Sequence, residues 1–297
     1  MSGGTLSASA TATAPAPVAA PRRASAFRAL LRDPAGLISL VVVVSLVLAA
    51  ALAPWIAPAD PYAGDLVNTL KPPGQAGLLG ADAQGRDMVT RLIFGLRTTL
   101  LMALASIVLG CGLGALIGFS AAYYARLSGP LMRLMDVLLS FPAILFGLAL
   151  SAILGPGLRA VVIALSIATV PLMARVVRAA AVVVLRQDYI DAARALGLSD
   201  RRILTEYVLP NSLSPIFVFV TLRFGQVILL GALLSFLGLG AQPPTPELGA
   251  MASDGRNFLF FAPHVPVLPS LVIFVVVLAF NLLGDALRDA LDPRMRR

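Results

Sequence analysis

Residues 186–211 read RQDYIDAARALGLSDRRILTEYVLPN, a polar, arginine-bearing stretch set between two long apolar ones, and this alternation decides the fold. Within it, Asp188 to Leu196 has helical periodicity and stops at Gly197, a residue able to take the positive φ of a helix C-cap. Ser199 or Asp200 can cap a second short helix, which Pro210 is expected to end. Ile190, Ala193 and Ala195-Leu196 leave a small-residue face with arginines around it, so the segment is read as a docking surface for another protein.

Outward from this stretch, apolar windows of membrane-spanning length recur near Gly36–Ala53, Thr98–Ala122, Met132–Leu154, Leu158–Ala174, Leu213–Leu237 and Val267–Leu287. Six spans put both termini on one side. Of the 23 basic residues, sixteen fall on the side of the termini and six (Lys71, Arg86, Arg91, Arg97, Arg159 and Arg256) on the other, leaving Arg223 inside a span. The positive-inside rule therefore assigns both termini to the cytoplasm. Residues 186–211 become an internal loop, and residues 55–97 an external one whose amphipathic stretch, Met88 to Leu96, is expected to lie at the membrane interface.

Composition agrees: 58% of residues are hydrophobic and 13% charged, with a mean hydropathy of +0.89, so lipid is the solvent for most of the surface. The formal charge of +8 lies beside apolar segments and reads as topology, with no basic stripe interleaved with aromatics for nucleic acid. Cys111, His264 and Lys71 are each the single residue of their type. One chain can build neither a disulfide nor a Cys/His metal cluster, and Lys71 precedes Pro72 instead of closing a phosphate loop. The chain is expected to be no enzyme and to bind no cofactor or metal; any ATPase, with its ATP and Mg, belongs to partner subunits. Residues 1–35, rich in Ala, Ser and Pro, are expected to form a disordered cytoplasmic tail, and 36–297 the transmembrane domain with an uncleaved first helix.

Asp191-Ala192-Ala193, then Gly197, then Leu209-Pro210 resembles the EAA loop of bacterial ABC importer permeases. Gly85-Arg86-Asp87, Phe141-Pro142, Leu154-Gly155-Pro156-Gly157-Leu158, Ser235 to Gly240 with Gln242 to Pro246, and Asn281 to Asp285 with Arg288 to Pro293 are similar to the dipeptide/oligopeptide/nickel permeases, specifically the subunit that pairs with a second, different permease. The resemblance covers roughly residues 27–297. It implies an all-α, type I ABC importer permease in the bacterial inner membrane, partnered by that second permease, two nucleotide-binding ATPase subunits and an external substrate-binding protein. It also implies that Asp188 to Pro210, with Asp188, Asp191, Ala192, Ala193, Gly197, Leu209 and Pro210, couples to the ATPase during alternating access. Two departures stand out: Asp191 occupies a position usually held by Glu, and Gly231 one that often carries Glu. Peptides, metal chelates, glutathione-like and opine-like solutes are all compatible.

An arginine at mid-span costs about 2.5–3.5 kcal/mol on insertion scales. Arg223 therefore either lines the solute path or snorkels to the cytoplasmic surface. Ser235 is a second path candidate in what is otherwise a packing seam. A stand-alone secondary transporter or channel is the alternative, but it calls for acidic or histidine relays or inverted repeats within the spans. An intramembrane enzyme calls for a carboxylate pair or a Ser/His/Asp set at matching depth, and His264 is alone in its loop.

Overall fold

Asp33 starts the first helix: its carboxylate accepts from the Gly36 amide at 2.8 Å, and Pro34 occupies the first turn, where a missing N–H leaves nothing unpaired. From that cap α1 (Pro34–Ala51) runs as an apolar rod. The computed structural model describes residues 30–291, so residues 1–29 of the expected tail lie outside it, and residues 30–32 are helical. Along the chain follow α2 (Met88–Tyr123), α3 (Ala125–Ser140), α4 (Ala143–Leu154), α5 (Leu158–Leu185), the short α6 (Asp188–Ala195), α7 (Leu209–Phe236), the short α8 (Leu248–Gly255) and α9 (His264–Leu291). Among the described residues five helical segments are long and apolar enough to cross a membrane, and α3 with α4 makes a sixth if that bent pair is one span.

Three boundaries differ from the sequence reading. The stretch Met88–Leu96 is no separate interfacial helix, because α2 continues without a break for 36 residues. Asp87 caps its start, accepting from the Thr90 amide and hydroxyl, each at 2.8 Å, and nothing between Leu96 and Thr98 interrupts it. The window Met132–Leu154 is not straight: α3 and α4 meet at 84°. Phe141, which precedes Pro142, is extended (φ −92°, ψ 129°), as the proline ring demands of its neighbour. Finally, α5 passes Ala174 and ends at Leu185. Its 28 residues reach about 42 Å at 1.5 Å each, beyond a hydrocarbon core of about 30 Å.

The core is organised by the α2–α5 pair. A Cβ added at Gly110, Gly114 or Gly118 would stand 2.6–2.8 Å from the carbonyl oxygens of Ser166, Val170 and Ala174 respectively. Both series ascend by four residues, so the helices run parallel with their backbones in contact along a glycine stripe. The other side of the bundle is closed by α7 and α9, where the Phe224 and Phe280 rings stack at 4.4 Å.

One face of the bundle carries an ordered polar cap formed by residues 57–87, α8 and the start of α9. Asp82 is its hub: Oδ2 lies 2.7 Å from Arg86 Nε and 3.1 Å from Arg91 Nε, while Oδ1 accepts from the Gln84 and Arg86 amides. Arg91 donates onward to the carbonyls of Pro61 and Pro244, tying α2 to the loop before α8. His264 Nε2 stands 3.1 Å from the Ala81 carbonyl, which fixes the start of α9 to the same loop. The opposite face carries α6 and the turns around it.

Candidate functional site

On that opposite face only Arg186 and Gln187 separate α5 from α6, so the short helix is held directly by a bundle helix. At its end Gly197 has φ +76°, its N–H donates to the Arg194 carbonyl, and the Leu198 N–H reaches back to Ala193 at 3.2 Å. This pair of bonds is a Schellman cap, which needs the left-handed conformation glycine takes freely. A Cβ at Gly197 would meet nothing within 4 Å, so the position resists side chains through backbone conformation and not for lack of space.

The predicted residues separate onto two sides of α6. Asp188, Asp191, Ala192, Ala195 and Leu196 share one exposed side with Gly197, and Leu196 is 80% exposed. Ile190 (0% exposed) and Ala193 (4%) face inward, packed with Ala181, Val184, Ile203 and Val208. The sequence reading placed Ile190 and Ala193 on the docking face; they instead anchor α6 to its own bundle. The exposed side is the small and acidic one, with Arg194 paired to Asp191 at 3.1 Å.

Pro210 does not end the second helix either. From Asp200 the chain is helical without a break to Phe236, through a π-helical turn over Ile203–Val208 in which the Leu209 N–H donates to Leu204. Pro210 has no N–H to give and its ring clashes with the carbonyl four residues back, so the helix widens ahead of it instead of stopping. The Asn211 side-chain amide bonds the Tyr207 carbonyl at 2.6 Å. Leu209 and Pro210 are exposed here, at the root of α7.

Arg223 lies deep in α7 and is 6% exposed. Its Nη1 donates to Gln226 Oε1 at 2.9 Å and its Nε to Thr169 Oγ1 of α5 at 3.4 Å. Among the described residues no carboxylate is within ion-pair distance. Five guanidinium N–H groups against two acceptors leave donor capacity in the middle of the bundle. Ser235, at the capped end of α7, is buried, and its hydroxyl has no partner among the described residues. Sequence reasoning missed Glu247. Its buried side chain caps α8, accepting from the Gly249 and Ala250 amides and from Thr99 Oγ1 at 2.9 Å; an acid directly before an apolar run was the available signal. The glycine stripe of α2 was also legible as a four-residue repeat.

A long broken-span bundle with an exposed short helix on one face has counterparts among known proteins. Residues 110–297 match the family described as binding-protein-dependent transport system inner membrane component, and residues 23–73 match the N-terminal transmembrane domain of oligopeptide transport permease C. This chain belongs to that permease family. It is 46% identical over 225 residues, 75% of each chain, to a glutathione transport system permease protein of Pectobacterium atrosepticum. To a di/tripeptide transport system permease protein of Pseudomonas aeruginosa it is 45% identical over 264 residues, covering 86% of this chain and 87% of the relative. Among solved structures, an inward-facing form of the MetNI methionine ABC transporter matches with a TM-score of 0.57 at 21% identity, over 69% of this chain and 98% of that one. The permease is thus a multi-pass inner-membrane subunit of an ABC importer, and as a component of a binding-protein-dependent system it acts with ATPase subunits and a binding protein.

Proposed function

We propose that this permease is one of two different permease subunits in a peptide importer, with both termini in the cytoplasm and segment 186–211 seated on a partner ATPase. The observation that carries this reading is the two-sided α6: Ile190 and Ala193 lock it to the bundle, while Asp188, Asp191, Ala192 and Leu196 are exposed. A short helix rigidly attached on one side and open on the other passes a push from the ATPase into α5 and α7 as rigid-body motion. ATP and Mg act on the ATPase subunits, and the chain itself supplies half of an alternating-access path. Relatives named for di/tripeptide and glutathione transport support a peptide-like solute. The spare donors of Arg223 suit a carboxylate group, which makes Arg223 the first path candidate and the unpartnered Ser235 the second.

Membrane vesicles holding the complete transporter test this with labelled dipeptides, tripeptides and glutathione, with and without ATP and the binding protein. Uptake is expected to need both. Gly197→Val, which cannot hold φ +76° without strain, is expected to abolish uptake at normal membrane levels, whereas Gly197→Asn keeps a substantial part of it. ATP-independent uptake by this chain alone, or full uptake by Gly197→Val, overturns the reading.

A further inference from the structure

A groove of about 530 Å³ lies between α1, α2, α7 and α9, away from α6 and the polar cap. Arg97 and Ala51 line one end, in the third turn of α2 and at the finish of α1, and Val43, Leu104 and the stacked Phe224 and Phe280 rings line the other. Leu104 lies seven positions beyond Arg97, about two turns of helix and a descent of about 10 Å. Arg97 shares its end of the groove with Ala51, the last residue of α1, just before Pro54 and the exposed Trp55, which puts its guanidinium toward the membrane boundary while the rest of the groove runs inward. Among the described residues Arg97 has no carboxylate within ion-pair distance, and Leu104 is exposed at the rim.

We propose that this groove holds one phospholipid, its phosphate on Arg97 and one acyl chain along Leu104, Val43 and the Phe224–Phe280 stack. Polarity confined to the boundary end, with apolar walls below, is the polarity of a lipid. A peptide lying there would leave its amides unpaired, and a helix of a second subunit would bury the guanidinium unless it brought an acid to the same depth. The site is independent of which solute is carried and of how α6 couples.

Native mass spectrometry of the complete transporter released from detergent tests it. The wild type is expected to retain one phospholipid through delipidation. Arg97→Gln is expected to lower that occupancy about tenfold, the loss of one charge-assisted hydrogen bond, with Arg97→Lys in between. Leu104→Trp fills the groove without touching the charge and is expected to remove the lipid as well. Equal retention in wild type and Arg97→Gln overturns the proposal, as does a photoreactive group at position 104 that captures a second permease chain.

Discussion

Glu247 is a fully buried acidic residue on which two backbone amides and the Thr99 hydroxyl converge. Glu247→Ala removes a helix cap and strands the Thr99 hydroxyl, a loss of roughly 2–4 kcal/mol; thermal unfolding in detergent is expected to show a clear drop, and a smaller one for Glu247→Gln, which keeps an acceptor. Asp254 in α8 acts through pH. Asp254 is exposed as a residue, but it lines a recess with Met88, Met251 and Phe258, and partial desolvation there raises its carboxyl above its ordinary value, with Arg91 and Arg86 pulling the other way. The folded chain then binds that proton more tightly than the unfolded one, so the contribution is largest in acid and declines as pH rises from the ordinary value through the raised one. Asp254→Asn is expected to flatten the unfolding temperature across that window. At this scale the sequence disclosed residue types but not partners. Arg223 was visible as an anomaly inside an apolar run, whereas Thr169 and Gln226 as its acceptors depend on the rotation of α5 and α7 about their axes, which no hydropathy window records.

The helices were legible as apolar lengths, and their misreadings have a common cause. Charged residues lower a hydropathy window, so it cut α2 at Thr98, just past Arg91 and Arg97, and α5 at Ala174, just before Arg175 and Arg178, although both helices continue through those arginines. It also ran smoothly across Phe141-Pro142, because a proline changes backbone geometry without changing greasiness. Packing between elements gives a sharp test. Gly114→Leu drives a side chain into the Val170 carbonyl, where even a Cβ would stand at 2.6 Å, while two residues away a Cβ at Gly112 meets nothing within 4 Å. Overpacking costs about 1–3 kcal/mol or more, so Gly114→Leu is expected to lower folded yield and thermal stability, and Gly112→Leu to leave both near wild type.

For the molecule as a whole, the alternation of apolar and polar stretches identified the architecture and the segment 186–211. What it could not assign was which side of α6 faces outward, since Ile190 and Ala193 satisfy a bundle contact and a partner contact equally well until α5 is seen to project beneath them. If the outward side is the coupling side, Asp191→Arg together with Leu196→Asp is expected to leave the permease folded and inserted while uncoupling ATP hydrolysis from uptake, read as ATPase activity no longer stimulated by the binding protein. The π-helical turn over Ile203–Val208 adds a constraint of angular phase. A residue added anywhere else between Asp200 and Arg223 rotates the remainder of α7 by about 100°, carrying Arg223 away from Thr169. A π turn is an α-helix holding one residue too many. Deleting one residue inside it restores ordinary winding with every later side chain still pointing the same way, so this turn is the place between the short exposed helix and the buried arginine where the chain can change length and keep its aim.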